Sequence, residues 1–228
     1  SVKVLPKPET NKTLIINNPH LKKALEYFDI TLSSSIDPSG GVFYPEYFRK
    51  NFIFNDLTQK GALIGLRVEG PVNSVDHRIE KLRKELDVLN NEFSILEQEQ
   101  SNIFWEKTRK LQVFTSLQGS LLRVVVPVSE TFEVIQNLKK YKINYFLDWG
   151  GSLIWLQIDE INTKILREIK EIVQKAAGYL TVIKIEEDMK ATIDIFTVDP
   201  IKYKISEKIK KSFDPKRILN PGKMYSGI

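Results

Sequence analysis

The stretch IKKSFDPKRILNPGKMY, residues 209–225, follows a helical pattern and contains two predicted turns. Isoleucines recur every four residues from Ile201, and they predict a helix that ends before Asp214-Pro215, because a residue before proline is kept out of the α region. Asn220-Pro221-Gly222 predicts a second turn. The apolar pair Ile218-Leu219 lies between the two turns, so we expect this segment to dock either on its own domain or on a partner.

Composition narrows the classes of protein to which the 228 residues can belong. An apolar fraction of 42% and a charged fraction of 28% are ordinary for a soluble protein. The absence of cysteine excludes disulfides, thiolate metal sites and cysteine-ligated iron–sulfur clusters. His20 and His77 are the two histidines, and both fall among charged residues, which favours a solvent-exposed role over a Ser-His-Asp system. The net charge of +5 is modest, so we predict no nucleic-acid partner.

The order of predicted strands and helices repeats once along the chain. Each half is predicted to be strand–helix–strand, strand–helix–strand, which indicates tandem ferredoxin-like βαββαβ units of the α+β class, with one or two antiparallel sheets backed by helices. No apolar run reaches the length of about 18 residues that a membrane span needs, so none is predicted. The predicted parts are the end of a preceding domain with its linker (1–10), a main domain (11–198, with halves 11–100 and 119–198 joined by a helix in 101–118) and a C-terminal helix with its return segment (199–228).

Local signals suggest where several elements begin and end. Asn18 is predicted to cap a helix with Pro19 at its first position, and Ser129 to cap another. Gly178 is in place for a left-handed helix end after Ala177. We also expect a strand between Thr31 and Tyr44, interrupted by a turn at residues 37–41, and one helix over Ser101–Phe114.

The hairpin around DWGGSLIW, residues 148–155, is the candidate binding site. Glycines at Gly150 and Gly151 allow close backbone approach to a flat ligand, and Trp149 offers a stacking face. Both tryptophans are equally compatible with core positions at a sheet turn. The acidic run at residues 186–188 is compatible with a cation site or a solvated loop.

Several short motifs together resemble one family. They are Phe104-Trp105-Glu106, Trp149-Gly150-Gly151, Trp155-Leu156, the tail FDP…ILNPGK and the opening VKVLPKP at residues 2–8. In this order they resemble the C-terminal, cap part of the E subunits of bacterial glycolate oxidases, which are FAD-linked oxidases of the vanillyl-alcohol-oxidase type.

The resemblance implies a cap domain and a tail that returns to a flavin domain. That domain would hold the adenosine and pyrophosphate of FAD, so the full-length parent would carry FAD and this fragment would not retain it. The resemblance further implies flavin contacts by Trp149, Gly150 and Asn220, while it assigns no catalytic residue. The tail should be poorly ordered or lie against residues 2–6.

A departure from related proteins refines this interpretation. The related D subunits carry a histidine metal motif at the hairpin where this chain has residues 148–155, so no metal site is predicted. The resemblance then implies the non-metal flavoprotein subunit of a glycolate (2-hydroxy acid) oxidase, acting on CH–OH groups. Implied partners are its own FAD domain, a D-type flavoprotein subunit and an iron–sulfur subunit. The complex would be cytoplasmic, or peripheral at the inner membrane through those partners. The alternative is a tandem ferredoxin-like module that binds a small ligand or another subunit without catalysis.

Overall fold

The computed structural model describes residues 6–52, 60–87, 93–190, 193–197 and 199–221. These residues form two compact units. The first comprises Ser1–Ser116 and Tyr145–Leu153, and the second comprises Leu117–Asn144 and Ile154–Ile228. The first unit is therefore discontinuous along the chain, because it includes the tip of a hairpin that belongs to the second sequence repeat.

The first unit is built around a strongly apolar antiparallel sheet. Its elements are β1 (Thr10–Asn17), α1 (Leu21–Ser33), β2 (Gly40–Tyr44), β3 (Leu63–Gly70), α2 (Val72–Glu85), β4 (Phe93–Leu96) and α3 (Gln98–Arg109). The strands lie in the order β4-β1-β3-β2, with every pair antiparallel. On its other side β2 pairs with the hairpin segment at Phe43↔Leu147.

Helices cover both faces of this sheet. Gly40 and Gly41 are successive residues of β2 and therefore face opposite sides. A Cβ on Gly40 would meet the indole of Trp105 in α3, whereas a Cβ on Gly41 would meet the ring of Phe28 in α1. Lys12 forms an ion pair with Asp76 of α2 at 2.9 Å, on the face opposite to α3.

The second unit repeats the same order of elements. The elements of this repeat are β5 (Ser120–Val125), α4 (Val128–Leu138), β6 (Ile143–Asp148), β7 (Leu153–Ile158), α5 (Thr163–Lys175) and β8 (Tyr179–Lys184), followed by α6 (Glu187–Lys190) and α7 (Pro200–Phe213). β5 lies between β7 and β8 and pairs antiparallel with β8. The helical row Leu166, Ile169 and Val173 of α5 is buried, as its spacing predicts. The predicted α+β class with two βαββαβ repeats is confirmed.

Two predicted helix caps are wrong. Asn18 has a left-handed φ of 55° and lies outside the first helix. The cap of α1 is His20, whose Nδ1 accepts a hydrogen bond from the backbone N–H of Lys23 at 3.1 Å. Pro127 precedes α4 and Ser129 lies inside the helix. In both cases the N-cap lies two residues away from the residue with the highest capping preference, because proline geometry and packing decide where the chain turns.

The left-handed residue after α5 is Ala177, with φ of 53°, and not Gly178. The N–H of Gly178 donates to Val173 O and the N–H of Ala177 donates to Gln174 O, each at 2.9 Å, which is a Schellman ending. Gly178 is needed for a different reason. A Cβ there would lie 2.5 Å from Val126 Cγ1, so the strand approaches the backbone too closely for a side chain.

Two predicted spans are also corrected. The strand predicted between Thr31 and Tyr44 is limited to Gly40–Tyr44, because α1 continues through Ser33. α3 ends at Arg109 because Leu111 adopts a left-handed φ of 51°, and a short 3-10 turn over Gln112–Phe114 follows. The ambiguous region after Tyr44 forms a 3-10 turn at Glu46–Asn51, and residues 53–59 lie outside the described part of the chain.

Candidate functional site

A cavity of about 410 Å³ lies in the first unit where β2 begins. Its apolar lining comes from α1, the loop before β2, β3, α3 and the hairpin tip, and consists of Phe28, Leu32, Pro38, Leu66, Trp105 and Trp149. Polar side chains contribute as well, namely Thr31, Ser39, Thr108, Arg109 and Asp148. The cavity occupies the end of β2 that is remote from the Phe43↔Leu147 pair, where the backbones of β2 and the hairpin segment are no longer paired.

The hairpin tip has a strained backbone held by its own side chains. Trp149 and Gly150 both have a left-handed φ, of 51° and 61°, and φ of Gly151 is 94°. Asp148 begins the turn, where its Oδ1 accepts from the N–H of Trp149 at 2.7 Å. Ser152 ends it by donating from Oγ to Trp149 O at 3.0 Å. Trp149 is 57% exposed and borders the cavity.

The absence of a side chain at Gly150 is explained by a protein contact. A Cβ at this position would lie 2.6 Å from Leu32 Cδ1. The space that the sequence suggested for a ligand is therefore filled by a leucine of α1. Gly150 lines the cavity with its backbone, and this backbone is the part of it that a ligand can contact.

Trp105 forms a second aromatic wall and is firmly oriented. Its ring lies directly over Gly40, where a Cβ would approach Cη2 to 2.7 Å. Its Nε1–H donates to Thr13 Oγ1 at 2.8 Å, and that hydroxyl also lies 2.7 Å from Ser101 Oγ. Thr13 and Ser101 have no exposed surface. Two buried hydroxyl groups therefore fix the orientation of the indole.

The hydroxyl groups in the lining are already hydrogen-bonded. Thr31 Oγ1 donates to Tyr27 O at 2.6 Å. Thr108 Oγ1 donates to Phe104 O and accepts from Tyr44 Oη, both at 3.0 Å. Burial strongly raises the pKa of Tyr44, so its phenol remains protonated and structural. Arg109 is then the charged lining side chain that is available to a polar ligand.

An aromatic cluster lies behind the cavity. Tyr44 stacks on Phe146 with ring centroids 4.7 Å apart, and Phe52 lies 4.5 Å from Tyr44. Tyr47 Oη donates to Tyr145 O at 3.0 Å and accepts from the N–H of Tyr145 at 2.8 Å. Burial raises the pKa of the Tyr145 phenol to about 12. The cluster stabilises the strand that carries the hairpin tip.

The other candidate side chains have structural surroundings. His20 caps α1, and His77 is exposed on α2. In the acidic run, Glu187 forms an ion pair with Lys190. Over the described ranges, no three histidine, aspartate or glutamate side chains are grouped as metal ligands. None of the described helices is long and apolar enough to cross a bilayer.

The terminal segment belongs to the second unit and presents an exposed apolar row. Asp199 begins α7, with its Oδ1 accepting from the N–H groups of Ile201 and Lys202. No residue of α7 is buried. Exposed apolar side chains follow its length and continue into the tail: Ile201, Ile205, Ile209, Phe213, Ile218 and Leu219. The helix predicted over this pattern is therefore confirmed, and its apolar face is uncovered by the described residues.

Asp214 holds the turn after α7. Its carboxylate accepts from the N–H groups of Ile218 and Leu219 at 3.0 and 2.9 Å, and it pairs with Lys210 at 2.7 Å. Bonding to Lys210, and then to these amides, lowers the Asp214 pKa to about 2. Asn220 follows with a left-handed φ of 46° and an exposed side chain. The predicted contact of the tail with residues 2–6 lies largely outside the described residues.

Comparison with known proteins agrees with this architecture. The family pattern "FAD linked oxidases, C-terminal domain" matches residues 196–224, which are α7 and the tail. The chain resembles FAD-linked oxidase C-terminal domains. It is 27% identical over 126 residues to glycolate oxidase subunit GlcE of Escherichia coli, covering 55% of this chain and 32% of that one. Glycolate oxidase subunit GlcD of Bacillus subtilis is 23% identical over 99% of this chain and 53% of its own length.

A solved structure extends the similarity to the fold. p-Cresol methylhydroxylase with bound substrate superposes with a TM-score of 0.63 at 16% identity, over 96% of this chain and 53% of that one. Alkyldihydroxyacetonephosphate synthase gives a TM-score of 0.60 at 14% identity, over 95% of this chain and 45% of that one. The chain thus spans about a third to a half of the length of the curated relatives described above.

The sequence identified only part of the cavity. It singled out Trp149 and Gly150, which lie side by side in the lining, and Asn220, which lies in the second unit. Trp105 was recognised only as part of a family motif and was not predicted to lie in the site. Arg109 was not predicted at all. The signal that was present is the pair Gly40-Gly41, since two small residues at a strand start often mark close approach by another group.

Proposed function

We propose that this chain is the cap part of an FAD-dependent oxidoreductase, namely the non-metal flavoprotein subunit of a glycolate (2-hydroxy acid) oxidase complex. The observation that supports this most directly is the coincidence of two features in one segment. Residues 196–224 match the FAD-linked oxidase pattern, and the same segment exposes Ile201 and Phe213 by 71% and 84%. A row of this kind is typical of a surface that another domain covers.

The flavin-binding part would come from residues outside this sequence. No phosphate-binding glycine loop is present, so the chain itself would bind FAD weakly. The residues at the cavity do fit one face of a flat ring, because Trp149 is exposed there and the backbone of Gly150 borders the same space. Trp149, Gly150 and Asn220 are the proposed flavin contacts. Bound FAD would accept a hydride from a CH–OH carbon.

The proposed partners are the flavin domain, a D-type flavoprotein subunit and an iron–sulfur subunit that accepts the electrons. Support comes from the two relatives, both of which are glycolate oxidase subunits. These 228 residues contain no cysteine, so the cysteine ligands of an iron–sulfur cluster would have to come from residues outside this sequence. The proposed location is the cytoplasm, with attachment to the inner membrane only through these partners.

Reconstitution tests the proposal. The chain is co-expressed with the N-terminal, flavin-binding half of a glycolate oxidase E subunit, and bound FAD is measured by visible absorbance of the purified complex. We expect stoichiometric flavin in the complex and almost none in the chain alone. Phe213→Asp should prevent assembly, because it places a charge in the apolar row, whereas Ile30→Asp on α1 serves as a control at another exposed apolar position.

Two results would overturn the proposal. One is full FAD loading of the chain by itself, and the other is assembly that Phe213→Asp does not weaken. Capture of glycolate oxidase subunits without any dependence on FAD would instead support the alternative function, a subunit-interaction module without catalysis.

A further inference from the structure

The cavity in the first unit is much larger than a two-carbon acid. Glycolate has five heavy atoms, fewer than benzene, which fits an apolar cavity of about 150 Å³. The cavity has a volume of about 410 Å³. Phenyllactate has twelve heavy atoms, twice as many as benzene, and would fill about 300 Å³ on the same scale. The volume therefore suits a ligand that carries a ring.

The lining also favours a ring over a small polar ligand. The indoles of Trp105 and Trp149 and the side chains of Phe28 and Leu32 all border the cavity. Trp105 is held by Thr13 and cannot rotate without losing its hydrogen bond. Fixed aromatic walls bind aromatic ligands well, because little side-chain freedom is lost and ring–ring contacts add to the burial of apolar surface.

Arg109 provides a cationic group at the same cavity. It is the last residue of α3, and its guanidinium makes no hydrogen bond or ion pair with any residue that the structure describes. The nearby carboxylate of Glu106 is bound by Lys110 at 2.7 Å instead. In contrast, Arg78 donates to three backbone carbonyls. Arg109 is thus available to a ligand anion, and guanidinium groups match carboxylates in geometry.

Asp148 is the acidic residue in the lining. Its Oδ1 is held by the N–H of Trp149 in the hairpin tip. A ligand carboxylate near this residue would be repelled, so the anionic end of a ligand is directed towards Arg109 on α3 and the ring towards the remaining apolar walls.

We propose that the cavity binds a 2-hydroxy acid with an aromatic side chain, with its carboxylate on Arg109 and its ring against Trp105, so that Trp149 and Gly150 are left to the flavin of the proposed function. The aromatic carboxylate is inferred from the cavity, whereas the 2-hydroxy group rests on the proposed function. Glycolate would be a poor ligand, since it leaves most of the aromatic surface uncovered.

Tryptophan fluorescence tests the binding directly and needs no flavin. Trp155→Phe removes the tryptophan outside the cavity and leaves Trp105 and Trp149 as reporters. Phenyllactate is expected to quench this emission and to bind at least roughly thirtyfold more tightly than lactate, because the ring buries more apolar surface. Phenyllactamide, which lacks the charge, should bind about tenfold more weakly than phenyllactate.

Two cation-to-alanine variants in the first unit separate a specific contact from general electrostatic attraction. Arg109→Ala should weaken phenyllactate binding roughly tenfold and leave phenyllactamide unchanged. Lys84→Ala removes the same charge on α2, outside the cavity lining, and should leave both affinities unchanged. Circular dichroism and thermal unfolding confirm that each variant is folded. Equal weakening by both variants, or lactate binding as tightly as phenyllactate, would overturn the proposal.

Turnover distinguishes this proposal from the proposed function. In the reconstituted complex, flavin bleaching by phenyllactate that depends on Arg109 supports both. Arg109-dependent binding of phenyllactate without bleaching supports the aromatic-acid site and contradicts the oxidase function. Bleaching by glycolate alone, with no phenyllactate binding, supports the oxidase function and refutes the aromatic-acid site.

Discussion

Replacing Gly40 with alanine will displace the indole of Trp105. The added methyl group would lie 2.7 Å from Cη2 and 2.9 Å from Cζ3 of the ring. The ring cannot move away freely, because its Nε1–H donates to the buried Thr13 Oγ1. Overpacking of this kind costs about 1–3 kcal/mol, and loss of the indole hydrogen bond costs about 1 kcal/mol. We expect the free energy of unfolding to fall by about 2–4 kcal/mol.

Urea denaturation followed by circular dichroism measures this loss as a lower midpoint with an unchanged slope. Gly41→Ala is the matched control, because the neighbouring glycine faces the other side of the sheet. A Cβ there would approach Phe28 Cε1 and Gly150 Cα to 3.3 Å, which a small shift relieves. Gly41→Ala should therefore cost clearly less than Gly40→Ala.

A double-mutant cycle identifies the clash itself. Trp105→Phe removes the second ring and makes room for the new methyl group, so Gly40→Ala should cost at least about 1 kcal/mol less in that background. If the two losses simply add, or if both alanine variants are equally destabilised, the close contact between Gly40 and Trp105 does not limit this position, and the reasoning is refuted.

Two further predictions concern stability. Phe104→Ala should cost about 3–5 kcal/mol in urea denaturation, since the ring is fully buried and lies 4.8 Å from that of Phe52; a loss under 1 kcal/mol would contradict this. The Asp214 pKa is about 2 in the folded chain, below the ordinary 3.8, so its contribution is present above pH 3.8 and is lost as the pH falls towards 2. The protection factor of the Leu219 amide, which is corrected for the pH dependence of intrinsic exchange, should therefore fall over that range, and in Asp214→Asn it should not change with pH.

The order of elements was predictable because it depends on local patterns. The row Leu166, Ile169 and Val173 recurs at helical spacing, and its burial follows directly. Helix boundaries were less predictable, since capping preference is worth only about 1 kcal/mol and is easily outweighed. Asn18 shows this, because the chain turns there with a left-handed φ and leaves His20 to cap the helix.

The cavity was largely unpredictable for a different reason. Its walls come from segments as distant in the sequence as Phe28 and Trp149, and only the folded sheet brings them together. A single sequence shows Trp149 beside two glycines, but it does not show that Leu32 fills the space above Gly150. Arg109 could not be predicted either. The sequence does not show that Glu106 pairs with Lys110 and so leaves the Arg109 guanidinium available.

The discontinuity of the first unit limits how the chain can be divided. Phe146 stacks on Tyr44 and lies 5.6 Å from Phe114, and Leu147 supplies the strand partner of Phe43. A protein cut after residue 116 would retain a whole βαββαβ repeat and still lack these groups. During synthesis, we therefore expect the first repeat to stay incompletely packed, with its aromatic side chains exposed, until residues 145–153 have left the ribosome. A gene split at the boundary between the repeats is expected to yield an aggregating first half, whereas the undivided chain carries the missing piece with it.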